Sequence, residues 1–358
     1  MNSRERILKV FNHEIPDKVP VTPRFDTKWF QNAGPEYTEK IIKTTDLALY
    51  VDTVPDYVLY LGEETRKNLI FHDDGNRKTE TIRTPKGEIK RTLRLEKYMM
   101  DWATEHFFKS PEDIEKALSI PYAPPELDFS DYEKWNKRIG NEGIVGVHLM
   151  NALCCPGLWL NPEDFIIYAC VSHTNLVREI TAKVNENLKQ FVHHCLNYGI
   201  RHFLMAGAEL CSQTIMGPEW FSRLVAPFDR ELIETVKSGG GYVWYHCHGK
   251  IARIHKEMSE LGFDVLTPCE KPPHGDITLR ELKNSIGKKV ALAGNLDDLM
   301  VLATGDRDMI ERETISCLKQ AKENGGFLLG GAEGCVFSPE NANGYLWMCE
   351  VRDKYGRY

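Results

Sequence analysis

Between Gly143 and Leu329, short apolar runs of strand character recur, each parted from the next by a longer amphipathic stretch of helical period. The runs are Gly143 to Leu149, His202 to Met205, Tyr242 to Tyr245, Asp264 to Thr267, Val290 to Ala293 and Gly326 to Leu329. Two earlier ones, Val19 to Val21 and Leu47 to Val51, complete a set of eight strand–helix units. Strands joined through helices pair in parallel, because a parallel neighbour needs a long crossover. Eight such units predict an α/β fold, a single (β/α)8 TIM barrel over residues 1–358. An open doubly wound sheet is the alternative, but no G-x-G-x-x-G follows the first strand and no Walker loop occurs.

A barrel of this type takes about 250 residues, so a chain of 358 has room for additions. One is at the N-terminus, where Ser3 to Phe11 reads as a capped amphipathic helix and a further helix is expected around Tyr37 to Thr44. The other is an excursion at about 68–108. There Thr81 to Thr92 alternates around Pro85-Lys86-Gly87 and predicts a β-hairpin. Ser110-Pro111-Glu112-Asp113 then has the cap and first-turn acids of a helix start.

Composition excludes some functions. A formal net charge of -7 without a basic stripe argues against nucleic acid as partner. No apolar run reaches the length of a membrane span, and the first residues are polar, so a cytoplasmic location is expected. The ten cysteines lack the even spacing of a disulfide framework. Most are expected to be small buried hydrophobes, Cys154 and Cys155 among them, and the mid-helix pair His193-His194 is read as structural.

In a TIM barrel the chemistry sits on loops after the carboxyl ends of the strands. Glu209 follows the fourth strand, His246 and His248 the fifth, Glu270 the sixth, Asn295 the seventh, and Glu333 and Cys335 the eighth. Strand side chains alternate between faces, so His246 and His248 are expected to look into the barrel mouth and Cys247 into the packing layer behind. Imidazole, carboxylate and thiolate are the donors of tetrahedral zinc, and His246, His248, Glu270 and Cys335 make one set of four. Each alone has a plainer reading: Glu270 as a loop acid paired with Lys271, Cys335 as a small residue in a glycine-rich turn. Glu209 is a candidate base, a partner to the ligands or a simple loop acid.

The sequence resembles the uroporphyrinogen decarboxylase superfamily over nearly its whole length. The resemblance is carried by Arg4-Glu5-Arg6 leading to Asn12-His13-Glu14-Ile15-Pro16-Asp17-Lys18-Val19-Pro20-Val21, by Thr84-Pro85-Lys86-Gly87, by His246-Cys247-His248-Gly249 and by Gly294-Asn295. It implies a (β/α)8 barrel and one of two activities: metal-free decarboxylation of tetrapyrrole acetates, or zinc-dependent methyl transfer involving corrinoid proteins. Decarboxylases carry Arg-Gln-Ala-Gly-Arg after the first strand, where this chain has Thr22-Pro23-Arg24-Phe25-Asp26. The methyltransferase pattern is His-x-Cys, then Glu, then a distant Cys; His246, Glu270 and Cys335 match it, and His248 stands where thiol-methylating members have Cys.

That replacement bears on the chemistry. Zinc with one His, one Glu and two thiolates carries a net negative charge, which keeps a bound thiolate electron-rich. With two His, one Glu and one thiolate it is neutral and a stronger Lewis acid, suited to an ether or phenolate oxygen. The expected function is therefore demethylation of an O-methyl substrate, a methoxylated aromatic, with the methyl group passed to Co(I) of a corrinoid protein. A thiol methyltransferase of the coenzyme M type and a metal-free decarboxylase are the alternatives. The corrinoid is expected on a separate partner, since the chain has no D-x-H-x-x-G and His13, His72 and His274 lack its surroundings. Arg24 is a candidate to meet a substrate carboxylate. Trp29, Phe30, Trp159 and Trp220 are candidates to sandwich a ring. The sequence is compatible with a homodimer.

Overall fold

The computed structural model describes residues 1–26, 33–96, 101–212, 214–332 and 338–358, and of 24–26 only the backbone. The chain lays down β1 (Arg24–Asp26) and β2 (Leu47–Val51), then leaves for an antiparallel sheet of β3 (Leu69–Asp73), β4 (Arg77–Thr84), β5 (Gly87–Arg94) and β6 (Trp102–Glu105). It returns with β7 (Gly143–Met150), β8 (His202–Ala206), β9 (Tyr242–His246), β10 (Val265–Thr267), β11 (Ala291–Leu296) and β12 (Phe327–Gly331). These six follow β1 and β2 in one curled parallel sheet, in chain order. Its two ends approach each other, because Thr22 N–H donates to the Leu329 carbonyl at 2.7 Å and Leu329 N–H to the Pro20 carbonyl at 2.9 Å. The fold is α/β and TIM-barrel-like. Among the described residues no helix is long and apolar enough to cross a membrane.

The first strand lies later than Val19 to Val21. Pro20 and Pro23 have no N–H to give a ladder, so Val21 makes only an isolated bridge to Leu329, and pairing with β2 begins with Arg24 opposite Ala48. Arg24 and Asp26 therefore belong to the strand and do not follow it. β11 likewise runs past Ala293 and takes Asn295 into the sheet, 6% exposed.

Alternation along the strands sorts the core into two parts. Inward positions Ala48, Tyr50, Ile144, Leu204, Trp244, Val265, Ala291, Ala293 and Leu328 form one cluster with Ile7, Val10 and Phe11 of the helix Ser3–Phe11. That helix carries the capping box of Asn2 and Glu5 and plugs the amino-terminal end of the barrel. Phe11 stacks on His202 and Tyr242 and meets Trp244 edge-on. Burial, with the nearby Arg4, holds His202 neutral and pushes its pKa down to about 3.

The opening signature of the sequence is a clamp at this closed end. Arg6 pairs with Asp17 at 2.7 Å and with Asp46 at 2.5 Å, Arg352 reaches the same Asp46 at 3.0 Å, and Val21 N–H donates to Asp46 at 2.9 Å. The antiparallel sheet is tied to the barrel by Arg91. It forks onto Asp56 at 2.6 and 2.8 Å, meets Glu80 at 2.5 Å and lies over the Phe107 ring. Trp159 does not line a substrate site: it is 1% exposed, packs on Tyr60, Phe107 and Phe108, and donates to Asp56 at 3.0 Å.

Candidate functional site

The site is built from the open end of β9. Trp244 belongs to the inward cluster, so the period of two turns His246 inward and Tyr245 and Cys247 outward. His246 is 5% exposed and stands opposite Thr267 of β10. Two residues on, the His248 ring meets the His246 ring edge-on, with centroids 4.3 Å apart. Glu270, just past β10, places Oε1 3.3 Å from His248 Nδ1, while its Oε2 accepts from Gly249 N–H at 2.6 Å.

Gly249 makes this turn with φ +84°, and a Cβ there would stand 2.5 Å from Thr214 Oγ1, so only glycine fits. The next amides, Ile251 and Ala252, both donate to Asp276 Oδ1 at 2.9 Å. Two carboxylates thus hold the loop after β9 in place. Burial pushes the Glu270 carboxyl up, but His248, the Gly249 N–H and His274 outweigh it and leave it below its ordinary range. Lys271 is not its partner, since it pairs with Glu313 at 2.6 Å.

Nitrogen and oxygen ligands at about 2.0–2.1 Å from a tetrahedral zinc stand about 3.3 Å from each other. The His248 Nδ1 to Glu270 Oε1 separation fits that edge, and His246 adjoins it. Cys335 lies outside the described residues, as do Glu333, Trp29, Phe30 and the side chain of Arg24. Among the described residues no three His, Cys, Asp or Glu side chains are gathered closely enough to hold a metal by themselves.

The remaining polar residues sort by side of the sheet. Glu209, in the turn Ala208–Cys211 after β8, accepts from Gly207 N–H at 3.2 Å. Cys247 is buried behind the sheet, and burial, with the negative Glu209 and Asp229, pushes its thiol well above the ordinary range. Trp220 is half-buried and carries Arg223 over its ring. Asn295 donates to the Cys269 carbonyl at 2.8 Å and borders a cavity of about 310 Å³ with Glu270, His274 and Asp297.

Behind β9, Tyr245 stacks on Phe263 and donates its hydroxyl to Asp229 at 2.5 Å, which fixes the strand to the helix Ala226–Ser238. Burial pushes the Asp229 carboxyl up to about 7, against hydrogen bonds from Tyr245 and Asn151 and with the help of Glu209. Unfolded, an Asp titrates near about 3.9. Between those values the folded protein holds a proton the unfolded chain has released, so stability falls as pH rises through that window. Asp229→Asn is expected to flatten this slope and to be more favourable at pH 8 than at pH 5. Urea unfolding at the two pH values checks it; an unchanged slope would mean that Asp229 is ionised in the fold.

None of the curated proteins matches this sequence. Among solved structures, a methyltransferase from Methanosarcina mazei superposes with a TM-score of 0.68 at 15% identity, covering 99% of each chain. A Bacillus subtilis mannanase is more distant, with a TM-score of 0.44 at 10% identity over 94% of this chain and 87% of that one. The sequence model of the uroporphyrinogen decarboxylase family matches residues 164–345, the stretch that carries β8 to β12 and the histidines after β9. On that match, which spans half of its length, the chain belongs to the uroporphyrinogen decarboxylase family.

Proposed function

We propose that the protein is a zinc-dependent methyltransferase that demethylates an O-methyl substrate, a methoxylated aromatic, and passes the methyl group to Co(I) of a separate corrinoid protein. The observation that carries this reading is the His248–Glu270 pair at the open ends of β9 and β10, with the His246 ring against His248. The likeness in fold to a Methanosarcina methyltransferase agrees with it.

His246, His248, Glu270 and Cys335 would hold the zinc, which would supply Lewis acidity at the ether oxygen. Two neutral imidazoles in that set leave the site uncharged, the condition that favours oxygen over thiolate. The Gly249 N–H fixes the Glu270 carboxylate, so its orientation does not have to be found when a ligand arrives. Glu209, on the neighbouring turn, would orient the substrate oxygen. Arg24 would meet a substrate carboxylate.

The direct test gives the purified protein a reduced corrinoid protein with either methoxylated aromatics or small thiols and their methyl thioethers. Methoxylated aromatics are expected to lose their methyl group and thiols to be inert. Thiol methylation without ether cleavage would overturn the argument from His248.

A further inference from the structure

Two and three strands along the sheet from β9, the open ends of β7 and β2 carry a second polar pair. His148 Nδ1 lies 2.9 Å from Asp52 Oδ1, and the imidazole stacks on Tyr50 with planes 14° apart. One edge and one face of the ring are thereby fixed. His148 stands opposite Leu204 in the β7–β8 register and shares its inward face. With Asp52 it borders a cavity of about 450 Å³ whose apolar wall includes Val54, Leu59, Met150 and Phe191. Its other nitrogen, Nε2, has no hydrogen-bond partner among the described residues.

These features describe a proton donor with its ligand site beside it. The Asp52 side chain is 68% exposed, and its bond to His148 holds the carboxyl below its ordinary range, so Asp52 stays ionised. A carboxylate on Nδ1 fixes the tautomer and leaves Nε2 as the nitrogen that gives or takes a proton. A cavity with one apolar wall and a polar edge of Asp52, Thr53, Asp56 and His148 suits an aromatic ligand bearing a reactive oxygen. On its inward face His148 is connected to the strand that carries His246. Tyr50, under His148, meets Trp244 edge-on, and Trp244 precedes His246 by two residues on the same face of β9.

We propose that His148, positioned by Asp52, presents Nε2 to the ligand oxygen and protonates it as the O–CH3 bond breaks; this rests on the demethylation reading. In that step the C–O bond cleaves and the oxygen keeps the bonding pair and takes the proton from Nε2. The methyl carbon accepts an electron pair from low-valent corrinoid cobalt, and solvent returns a proton to His148. His148 is the catalytic residue and Asp52 a positioning residue.

The test uses ring-substituted anisoles whose product phenols differ in acidity, with reduced corrinoid protein as acceptor. His148→Gln is expected to slow substrates with weakly acidic phenols by about two to three orders of magnitude and those with strongly acidic phenols far less. Asp52→Asn is expected to steepen the same dependence by a smaller amount. An equal slowing across the series, or none, overturns the proposal. A second readout needs no turnover: histidine ¹⁵N NMR of the whole protein titrated with phenol. A phenol-dependent shift of His148 Nε2, weakened in Asp52→Asn, supports the site, and no shift overturns it. If the wild-type protein cleaves no anisole yet shows the shift, the oxygen site stands and the demethylation reading falls.

Discussion

His246→Ala is expected to lower methyl transfer by about three orders of magnitude or more, since a Lewis acid at the reacting oxygen supplies several kcal/mol of transition-state stabilisation. The residue sits at the tip of β9, inward and 5% exposed, with its ring against His248. It is the donor most firmly fixed by the sheet, through the pairing of β9 with β10 at Thr267. Its loss would remove a proposed ligand without touching Tyr245 and Asp229, which anchor the strand from behind. The variant should therefore keep the unfolding midpoint of the wild-type protein within a few degrees while its bound zinc and its rate fall together. Full activity in His246→Ala would remove the metal from the account.

Asp46→Ala is expected to destabilise the fold by about 3–5 kcal/mol, the usual cost of leaving buried charge unpaired. Asp46 takes Arg6 from the N-terminal helix, Arg352 from the C-terminal helix and the Val21 N–H just before β1. Both ends of the chain and the seam of the sheet meet on this one carboxylate, whose side chain is 2% exposed. The double replacement Arg6→Met with Asp46→Leu should recover part of the loss, because apolar groups of similar volume need no counter-charge. Urea unfolding measures both. A cost below about 1 kcal/mol, the range of exposed pairs, would mean that water reaches the clamp.

Much of this was legible in the sequence because it depends on short-range rules. The period of two turned His246 inward and Cys247 behind the sheet, whereas His248 lies past the end of β9, where the loop held by Glu270 and Asp276 sets its ring against His246. Pro85 and Lys86 form the turn between β4 and β5, which pair from Arg77 opposite Arg94 down to Thr84 opposite Gly87. The first strand was misplaced because Val19-Pro20-Val21 has strand-like side chains but its prolines cannot support a ladder. Trp159 appeared available for a ring sandwich because its loop position says nothing of Tyr60, Phe107 and Phe108, which bury it. His148 was missed for a related reason. Within Val147-His148-Leu149-Met150 it reads as one polar interruption of an apolar run, and its partner Asp52 lies 96 residues away. An Asp at one strand end, taken with a His on the inward face of the next barrel strand, was the signal available. The clamp around Asp46 combines residues 6, 46 and 352, which no local pattern relates.

On the proposed reading the donor set at the mouth decides between oxygen and sulfur chemistry, and zinc X-ray absorption on the purified protein reads that set directly. One zinc per chain is expected, with nitrogen and oxygen neighbours at about 2.0–2.1 Å and a single sulfur at about 2.3 Å, the sulfur lost in Cys335→Ser. Two sulfur neighbours, or a protein that transfers methyl groups without zinc, would contradict it.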